Sequence, residues 1–180
     1  VETERRRADL LREETRPVIC VFDPIVLHRL ILEHALSGLS DKVEIFWQSQ
    51  FSHTFIGMGG ISEDVYPGLV AMKKPTLLIS ELEVIPGEGY YGLKMLGNLR
   101  RSTLLKTPLM VISSKSWLEK IQKESLDNPE KLRAEWSITW GDLWVNWVFT
   151  WRDLEINLQE QRRLFNFVSG IIGPESRPRI

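Results

Sequence analysis

The sequence predicts an α/β fold in which helices cover both faces of a parallel sheet. Short runs made only of apolar residues recur along the chain, and such runs are typical of strands buried on both faces. Segments with apolar residues at helical spacing separate these runs. Because strands joined through helices pair in parallel, this alternation indicates one sheet. The length of 180 residues is sufficient for one domain with its own core.

The first predicted elements follow a charged opening segment. Residues 1–16 consist largely of Glu and Arg and are expected to form a solvated helix or a linker. The apolar run Val18–Phe22 predicts a buried strand, which Asp23 terminates. Helical spacing then predicts a helix over residues 25–39, with Gly38 as its stop signal. The elements expected next are a strand over residues 43–47, a loop over residues 49–61 and a short helix over residues 62–73.

The middle of the chain predicts two further buried strands separated by a helix. Residues 75–82 form an apolar run that has Glu81 near its end, and they predict a third strand. A turn is expected over residues 86–89, where Pro and Gly lie close together. The elements expected beyond the turn are a helix over residues 90–101 and a fourth strand over residues 109–112.

Residues 136–151 admit two interpretations because they contain five of the chain's seven tryptophans. As a helix, this region would carry a seam of tryptophans at spacings of three and four residues. As a strand, it would place alternate apolar residues on one face, and its Trp, Val and Phe content favours this. We therefore predict a strand over residues 143–150 and a final helix over residues 152–169, with the continuous helix as the alternative.

The composition argues against several classes of protein. Lys and Arg total 23 and Asp and Glu total 24, so the net charge of −1 disfavours a general nucleic-acid-binding protein. We find no apolar run long enough to span a bilayer and no recognisable signal peptide. The single cysteine, Cys20, excludes an internal disulfide and a cysteine-based zinc site. We expect a cytoplasmic protein that binds neither DNA nor a membrane.

The three histidines, His28, His34 and His53, predict no metal site. His28 and His34 are six residues apart, which places them on different sides of a helix, whereas metal-binding pairs share one face. They are expected to be surface or partly buried residues of a helix. Cys20 lies within the first predicted strand, where a buried thiol is inert. The sequence shows no arrangement of a nucleophile, a histidine and an acid, so we predict no catalytic residues.

Polar side chains end three of the predicted strands. They are Asp23, Glu81 and Ser113, at the ends of the first, third and fourth strands. Open parallel sheets bind ligands at the carboxyl ends of their strands, and carboxylate oxygens suit a hard cation such as magnesium. The alternative is structural, because acids and serines at strand ends often cap the turn or helix that follows.

Residues 87–92 match the pattern Gly-x-Gly-x-x-Gly between a strand and a helix. In a dinucleotide-binding fold the first glycine follows the strand directly, so that the pyrophosphate meets the helix N-terminus. Here Pro86 interrupts the strand, and Glu88 would place negative charge beside a pyrophosphate. The sequence therefore disfavours a nicotinamide site, and a nucleotide- or flavin-binding enzyme on the same fold remains an alternative.

The chain resembles the receiver domain of two-component response regulators, and the resemblance rests on residues 18–24, 75–82, 86–87 and 107–114. It implies a flavodoxin-like three-layer α/β/α sandwich whose five parallel strands have the order 2-1-3-4-5. It also implies phosphoryl transfer from a histidine kinase to an Asp after the third strand. Magnesium would be held by two acids after the first strand, with a Ser or Thr ending the fourth strand and a Lys ending the fifth. We expect the receiver-like domain over residues 17–172 and a tail over residues 173–180.

The family's functional positions are altered in this chain. The acid pair falls on Phe22 and Asp23, so an aromatic ring replaces one acid. The phosphoacceptor position falls on Glu81 and the Ser or Thr position on Ser113, while the Lys has no match. Because phosphoryl transfer depends on positioning and on cations, we predict a pseudo-receiver that is not phosphorylated and uses no metal or cofactor. Glu81 either imitates the phosphorylated state by its fixed charge or is a strand-end residue without that role.

The tryptophan-rich end of the chain is the predicted interaction surface. Trp and Tyr are enriched at interface hot spots because they bury a large area at a small entropic cost. The family commonly dimerises through elements that the resemblance places at residues 117–124, 143–150 and 152–169. We expect a homodimer or a protein partner there, with Trp144, Trp147 and Trp151 as candidate interface residues. The alternatives are that the tryptophans fill the core, or that the chain is a structural subunit of a larger complex.

Overall fold

The computed structural model of the chain describes residues 2–14, 16–49, 51, 74–102 and 106–173. Its strands are β1 (Val18–Phe22), β2 (Glu44–Gln48), β3 (Leu77–Ser80), β4 (Leu109–Ser113) and β5 (Trp147–Thr150). They form one sheet in the order β2-β1-β3-β4-β5, and every pair of neighbours is parallel. This is the strand order of flavodoxin-like folds, so the predicted fold class is confirmed.

Helices cover both faces of this sheet. In the described residues they are α1 (Glu2–Glu14), α2 (Val26–Ala35), α3 (Gly89–Ser102), α4 (Lys115–Asp127), α5 (Pro129–Trp136), α6 (Trp151–Ile156) and α7 (Leu158–Ile172). Side chains alternate between the two faces along β1, with Ile19 and Val21 in one core and Cys20 and Phe22 in the other. The first core lies against α2, α6 and α7, and the second against α3 and α4. Both cores are dense with buried aliphatic side chains, which is the main source of stability for such a domain.

The strand register places two acids side by side. Phe22 of β1 pairs with Ser80 of β3, so the next residues, Asp23 and Glu81, leave the sheet together at its carboxyl edge. β4 adjoins β3 on the other side and ends at the buried Ser113. The strand ends that the sequence singled out therefore converge at one edge.

The predicted strand over residues 143–150 is wrong in its first half. Gly141–Leu143 forms a 3-10 turn, and Trp144 has a left-handed backbone with φ of 54°. A strand cannot run through such a residue, so β5 begins only at Trp147. The choice of a strand followed by a helix is confirmed, and the continuous helical interpretation is wrong.

The predicted final helix over residues 152–169 is two helices, α6 and α7. Asn157 separates them, and its side-chain oxygen accepts the main-chain N–H groups of Gln159 and Glu160. This is an N-cap arrangement, which starts a new helix rather than continuing the old one. The helix predicted over residues 25–39 also ends earlier, at Ala35, and a 3-10 turn follows.

The predictions for residues 49–73 concern a part of the chain that the structure largely does not describe. The loop over residues 49–61 lies outside the described residues except for its positions 49 and 51, and so does the whole short helix over residues 62–73. The charged segment at the start forms α1, whose residues 2–10 are all exposed. Within the described ranges, no helix has the length and apolar character needed to cross a membrane.

Candidate functional site

Five side chains from five different elements or their ends meet at the carboxyl edge of the sheet. They are Asp23 after β1, His28 in the first turns of α2, Glu81 after β3, Ser113 at the end of β4 and Trp151 at the start of α6. All of them are buried except His28, which is mostly buried. The fold thus brings together residues that are far apart in the chain.

Asp23 is held by the main chain on one side and by an imidazole on the other. Its Oδ1 accepts the N–H of Ile25 at 2.7 Å, and its Oδ2 lies 2.7 Å from Nδ1 of His28. α2 begins directly after Ile25, so its first turns carry His28 back over the strand ends. The His28 ring stacks on the Trp151 indole, with centroids 3.9 Å apart and planes 13° apart. The imidazole is therefore fixed in position from two sides.

The Glu81 carboxylate accepts four hydrogen bonds. Its Oε1 accepts the Ser113 hydroxyl and the two main-chain N–H groups that follow Glu81, at 2.8 and 3.1 Å. Its Oε2 accepts the Trp151 indole N–H at 2.5 Å and lies 3.7 Å from Nδ1 of His28. Both oxygens of Glu81 are therefore engaged by donors from the surrounding elements.

Burial raises the pKa of the Glu81 carboxyl above its usual value. Hydrogen bonds from Ser113, from the Glu83 N–H and from Trp151 act in the opposite direction, and the negative charge of Asp23 adds to the increase. A buried carboxyl whose pKa is raised beside a second carboxyl, at the edge of a pocket, is typical of functional sites.

Trp151 occupies the position that directly follows β5. Thr150 pairs with Ser113 at the end of β4, so the next residue, Trp151, reaches Glu81 from that side. The resemblance implies a Lys at the end of the fifth strand, and this chain has an indole there. An indole N–H is a neutral donor, so it satisfies the Glu81 oxygen without balancing its charge.

A pocket of about 700 Å³ borders the cluster. Its size is in the range of small-molecule sites. Beyond His28, Glu81 and Trp151, its lining includes charged side chains of both signs: Glu83, Lys115, Arg152 and Asp153. The pocket gives solvent or a ligand access to Glu81 and His28.

Magnesium, which the resemblance implies, does not fit these residues. This cation demands a near-octahedral shell of oxygens and keeps several waters. The fully buried ring of Phe22 stands where the family has a second acid. The group nearest to Oδ2 of Asp23 is Nδ1 of His28, at 2.7 Å, and magnesium prefers oxygen ligands to nitrogen. A magnesium ion would therefore meet an aromatic ring and a nitrogen where it needs oxygen ligands.

The glycine pattern over residues 87–92 serves the local packing. Gly87 has a positive φ of 79°, and its N–H donates to the Glu83 carboxylate at 3.0 Å. A Cβ at Gly92 would lie 2.0 Å from the Leu82 carbonyl oxygen, so only glycine allows α3 to approach the end of β3 so closely. A carboxylate therefore engages an N–H of the loop in which a pyrophosphate would lie.

The structure brings the three predicted strand-end residues, Asp23, Glu81 and Ser113, into one site. The place of His28 in the site does not follow from its spacing to His34, which is exposed on the same helix. The available signal was that His28 lies five residues after a strand-end Asp, at the start of a helix. The first turns of such a helix lie over the strand ends. His53 lies outside the described residues.

The tryptophans of the C-terminal part do not share one surface. Trp151 faces the site, so it is a site residue and not an exposed interface residue. Trp147 is half-buried against Phe167 of α7, and Trp136 stacks on Tyr90 of α3. Trp144 is 73% exposed. Of the three candidate interface residues, Trp144 is the most exposed.

No protein-family model matches the sequence, and no curated protein matches it. Several solved structures are similar in fold. A response regulator receiver domain from Rhodospirillum rubrum has 14% identity and a TM-score of 0.48, over 85% of this chain and 94% of its own. The phosphorylated cyanobacterial phytochrome response regulator RcpA has 16% identity and a TM-score of 0.46, over 87% and 91%. The Vibrio cholerae chemotaxis protein CheY4 has 12% identity and a TM-score of 0.47, over 83% and 98%.

Proposed function

We propose that this chain is a receiver-like signalling module that acts through protein contacts and is not phosphorylated at Glu81. The observation that carries the proposal is the environment of the Glu81 carboxylate. Its four hydrogen-bond donors are two main-chain amides, a hydroxyl and an indole, and all four are neutral. Phosphoryl transfer needs an accessible acceptor oxygen and cations that neutralise the developing charge. The environment of Glu81 favours a fixed carboxylate over a reactive one.

Two further residues support this proposal. The buried Phe22 ring takes the place of an acid, which weakens any magnesium site. Trp151 contacts Glu81 with a neutral donor from the strand end where the resembled family has a Lys. Both differences remove charge from the surroundings of the acceptor position. The strand-end arrangement is retained, while the groups that transfer phosphate are altered.

The test is incubation with acetyl phosphate and magnesium, followed by intact mass spectrometry. We expect no phosphoryl adduct on the wild-type chain or on the Glu81→Asp variant, because Phe22 and Trp151 remain in both. A receiver of known activity, treated in parallel, serves as the positive control. An adduct that maps to Glu81 and is absent from Glu81→Gln would overturn the proposal.

The proposed protein contact is the edge of the sheet formed by α4, β5 and α7. In the described residues β5 is the last strand of the sheet, and an edge strand leaves main-chain groups for a partner. Trp144 lies just before this strand, is 73% exposed and has a left-handed backbone. An aromatic ring with this exposure contributes little to folding and suits an interface hot spot, and a left-handed main chain at a non-glycine residue is found more often at functional positions. The proposed occupant is a second copy of the chain.

Sedimentation velocity over a dilution series tests this contact. We expect the wild-type chain to dissociate on dilution and Trp144→Ala to sediment as a monomer at concentrations where the wild type is dimeric. Val26→Ala is the matched control, because Val26 is 74% exposed and belongs to α2, which is not one of the three elements of the proposed contact. A wild-type monomer at every concentration would contradict the proposed self-association.

A further inference from the structure

We propose that Asp23, His28 and Glu81 form a site for a divalent transition metal of the zinc type. The three side chains come from three separate elements, and each offers one ligand atom. These atoms all lie within 4.8 Å of one another. The proposal differs from the sequence-based prediction of no metal, and it does not depend on whether the chain signals.

The separations of the ligand atoms suit a tetrahedral ion after small adjustments. Zinc lies about 2.0–2.2 Å from nitrogen and oxygen ligands, which places two ligands of a tetrahedron roughly 3.3 Å apart. Nδ1 of His28 lies 2.7 Å from Oδ2 of Asp23 and 3.7 Å from Oε2 of Glu81. The two distances bracket the required value, so shifts on the order of one ångström are sufficient.

The surroundings orient each ligand toward a common point. In Asp23, Oδ1 accepts a main-chain N–H while Oδ2 faces the imidazole. In Glu81, two main-chain N–H groups and Ser113 hold Oε1. Oε2 accepts the Trp151 indole N–H with one lone pair and lies 3.7 Å from Nδ1 of His28, so its second lone pair is the one that an ion would use. The Trp151 ring stacks on the imidazole and fixes its plane. Partners of this kind orient the metal ligands in metalloproteins.

Charge and ligand type favour a transition metal over magnesium. Asp23 and Glu81 are 5% and 2% exposed, and two buried carboxylates are unfavourable without a compensating cation. A divalent ion balances both charges, and the imidazole supplies the nitrogen ligand that zinc, nickel and cobalt accept and magnesium avoids. When the ion binds, it displaces the proton between Nδ1 of His28 and Oδ2 of Asp23, and this proton passes to solvent.

The pocket leaves room for a fourth ligand. Three protein ligands with one open position are typical of zinc sites that hold a water or another molecule. The pocket of about 700 Å³ reaches both His28 and Glu81, so the open position would face it. Lys115 of α4 and Arg152 of α6 also line the pocket, and neither helix carries one of the three ligands.

The test is a titration of the chelator-treated full chain with Zn²⁺ against a chromophoric chelator, and with Co²⁺ as a spectroscopic probe. We expect one equivalent of each ion to bind, and Co²⁺ to give the visible absorption of a tetrahedral nitrogen and oxygen shell. Loss of one ligand in His28→Gln is expected to weaken binding by about 100-fold or more. His34→Gln is the matched control, because this histidine is exposed on the same helix.

Circular dichroism of both histidine variants separates a lost ligand from a lost fold, and Glu81→Gln provides a second ligand variant if His28→Gln does not fold. The proposal is overturned if Zn²⁺ does not bind, or if His28→Gln binds it as tightly as the wild type does. Equal losses in His28→Gln and His34→Gln would also overturn it, because they would indicate surface binding. An adduct at Glu81 from acetyl phosphate would contradict the proposed function and leave these metal titrations unaffected.

Discussion

Glu81 and Arg100 are both buried charged residues, but they lie at opposite edges of the sheet and have different partners. Arg100 of α3 is 3% exposed. Its guanidinium donates to the main-chain carbonyls of Thr107, Leu143 and Trp144, at 2.5, 2.8 and 3.3 Å. These carbonyls belong to the segments that lead into β4 and β5. Glu81 lies where the strands end, among side chains of other elements and beside a pocket.

The pKa shifts alone do not distinguish the two residues. Burial lowers the pKa of Arg100 and raises the pKa of Glu81, because in both cases it disfavours the charged form. The partners distinguish them. The carbonyls around Arg100 cannot change their protonation, whereas Asp23 and His28 near Glu81 can exchange protons or bind a cation. A buried charge therefore indicates function only where titratable neighbours and access accompany it.

The largest expected effect is the loss of stability in Arg100→Met. Methionine retains much of the side-chain volume but leaves three carbonyls without their donor, so we expect the free energy of unfolding to fall by about 3 kcal/mol. Urea unfolding measures this change. Arg101→Met is the control, since Arg101 is exposed, and it should change stability by no more than about 0.5 kcal/mol. A loss of zinc binding in folded Arg100→Met would contradict the view that Arg100 is structural while Glu81 belongs to a functional site.

The sequence predicts the strand-end acids because their positions follow from local patterns. Uninterrupted apolar runs marked the strands before Asp23 and Glu81, and a parallel sheet places such ends at one edge. The role of Arg100 is not predictable in this way. It depends on the segment before β5, whose Leu143 lies 43 residues further along the chain and presents its carbonyl to Arg100.

The contacts of His28 and Trp151 likewise depend on the direction that the main chain takes after a strand. The direction of the first turns of α2 decides whether His28 reaches Asp23, and the change from β5 to α6 after Thr150 decides where Trp151 points. In both regions the sequence predicts the presence of an element better than its boundary. A shift of a few residues at a boundary changes which side chains enter the site.

A smaller loss of stability is expected for Trp151→Phe, which tests the hydrogen bond from the Trp151 indole to Glu81. Phenylalanine keeps a ring against His28 but removes the N–H that Oε2 of Glu81 accepts, so this buried oxygen loses a donor. We expect a loss of about 1–2 kcal/mol in urea unfolding with a chelator present. In the Glu81→Gln background the same substitution should be less destabilising. Equal losses in the two backgrounds would show that the indole acts by packing alone.

The smallest expected effect concerns Asp142, which supports the turn that presents the Leu143 carbonyl to Arg100. Partial burial alone would raise the pKa of Asp142, but hydrogen bonds from Thr139 and Arg133 outweigh it and lower the pKa below 3.8. Its contribution to stability is therefore present above the unfolded-state pKa and is lost as the pH falls through the folded-state pKa. Because the group is 43% exposed, Asp142→Asn should cost only about 0.5 kcal/mol at neutral pH.

The difference between Asp142→Asn and the wild type should shrink as the pH is lowered, since the wild-type carboxylate then becomes protonated as well. Urea unfolding of both proteins at pH 7 and at about pH 3 measures this change, and added salt should also reduce it at pH 7 by screening the Arg133 pair. Arg133→Gln should show the same trend because it removes the other partner. A constant difference at all pH values would mean that Asp142 acts through its shape and not through its charge. In that case no titratable group would stabilise the surroundings of Arg100, and they would differ even more from the surroundings of Glu81, where titratable groups are in contact.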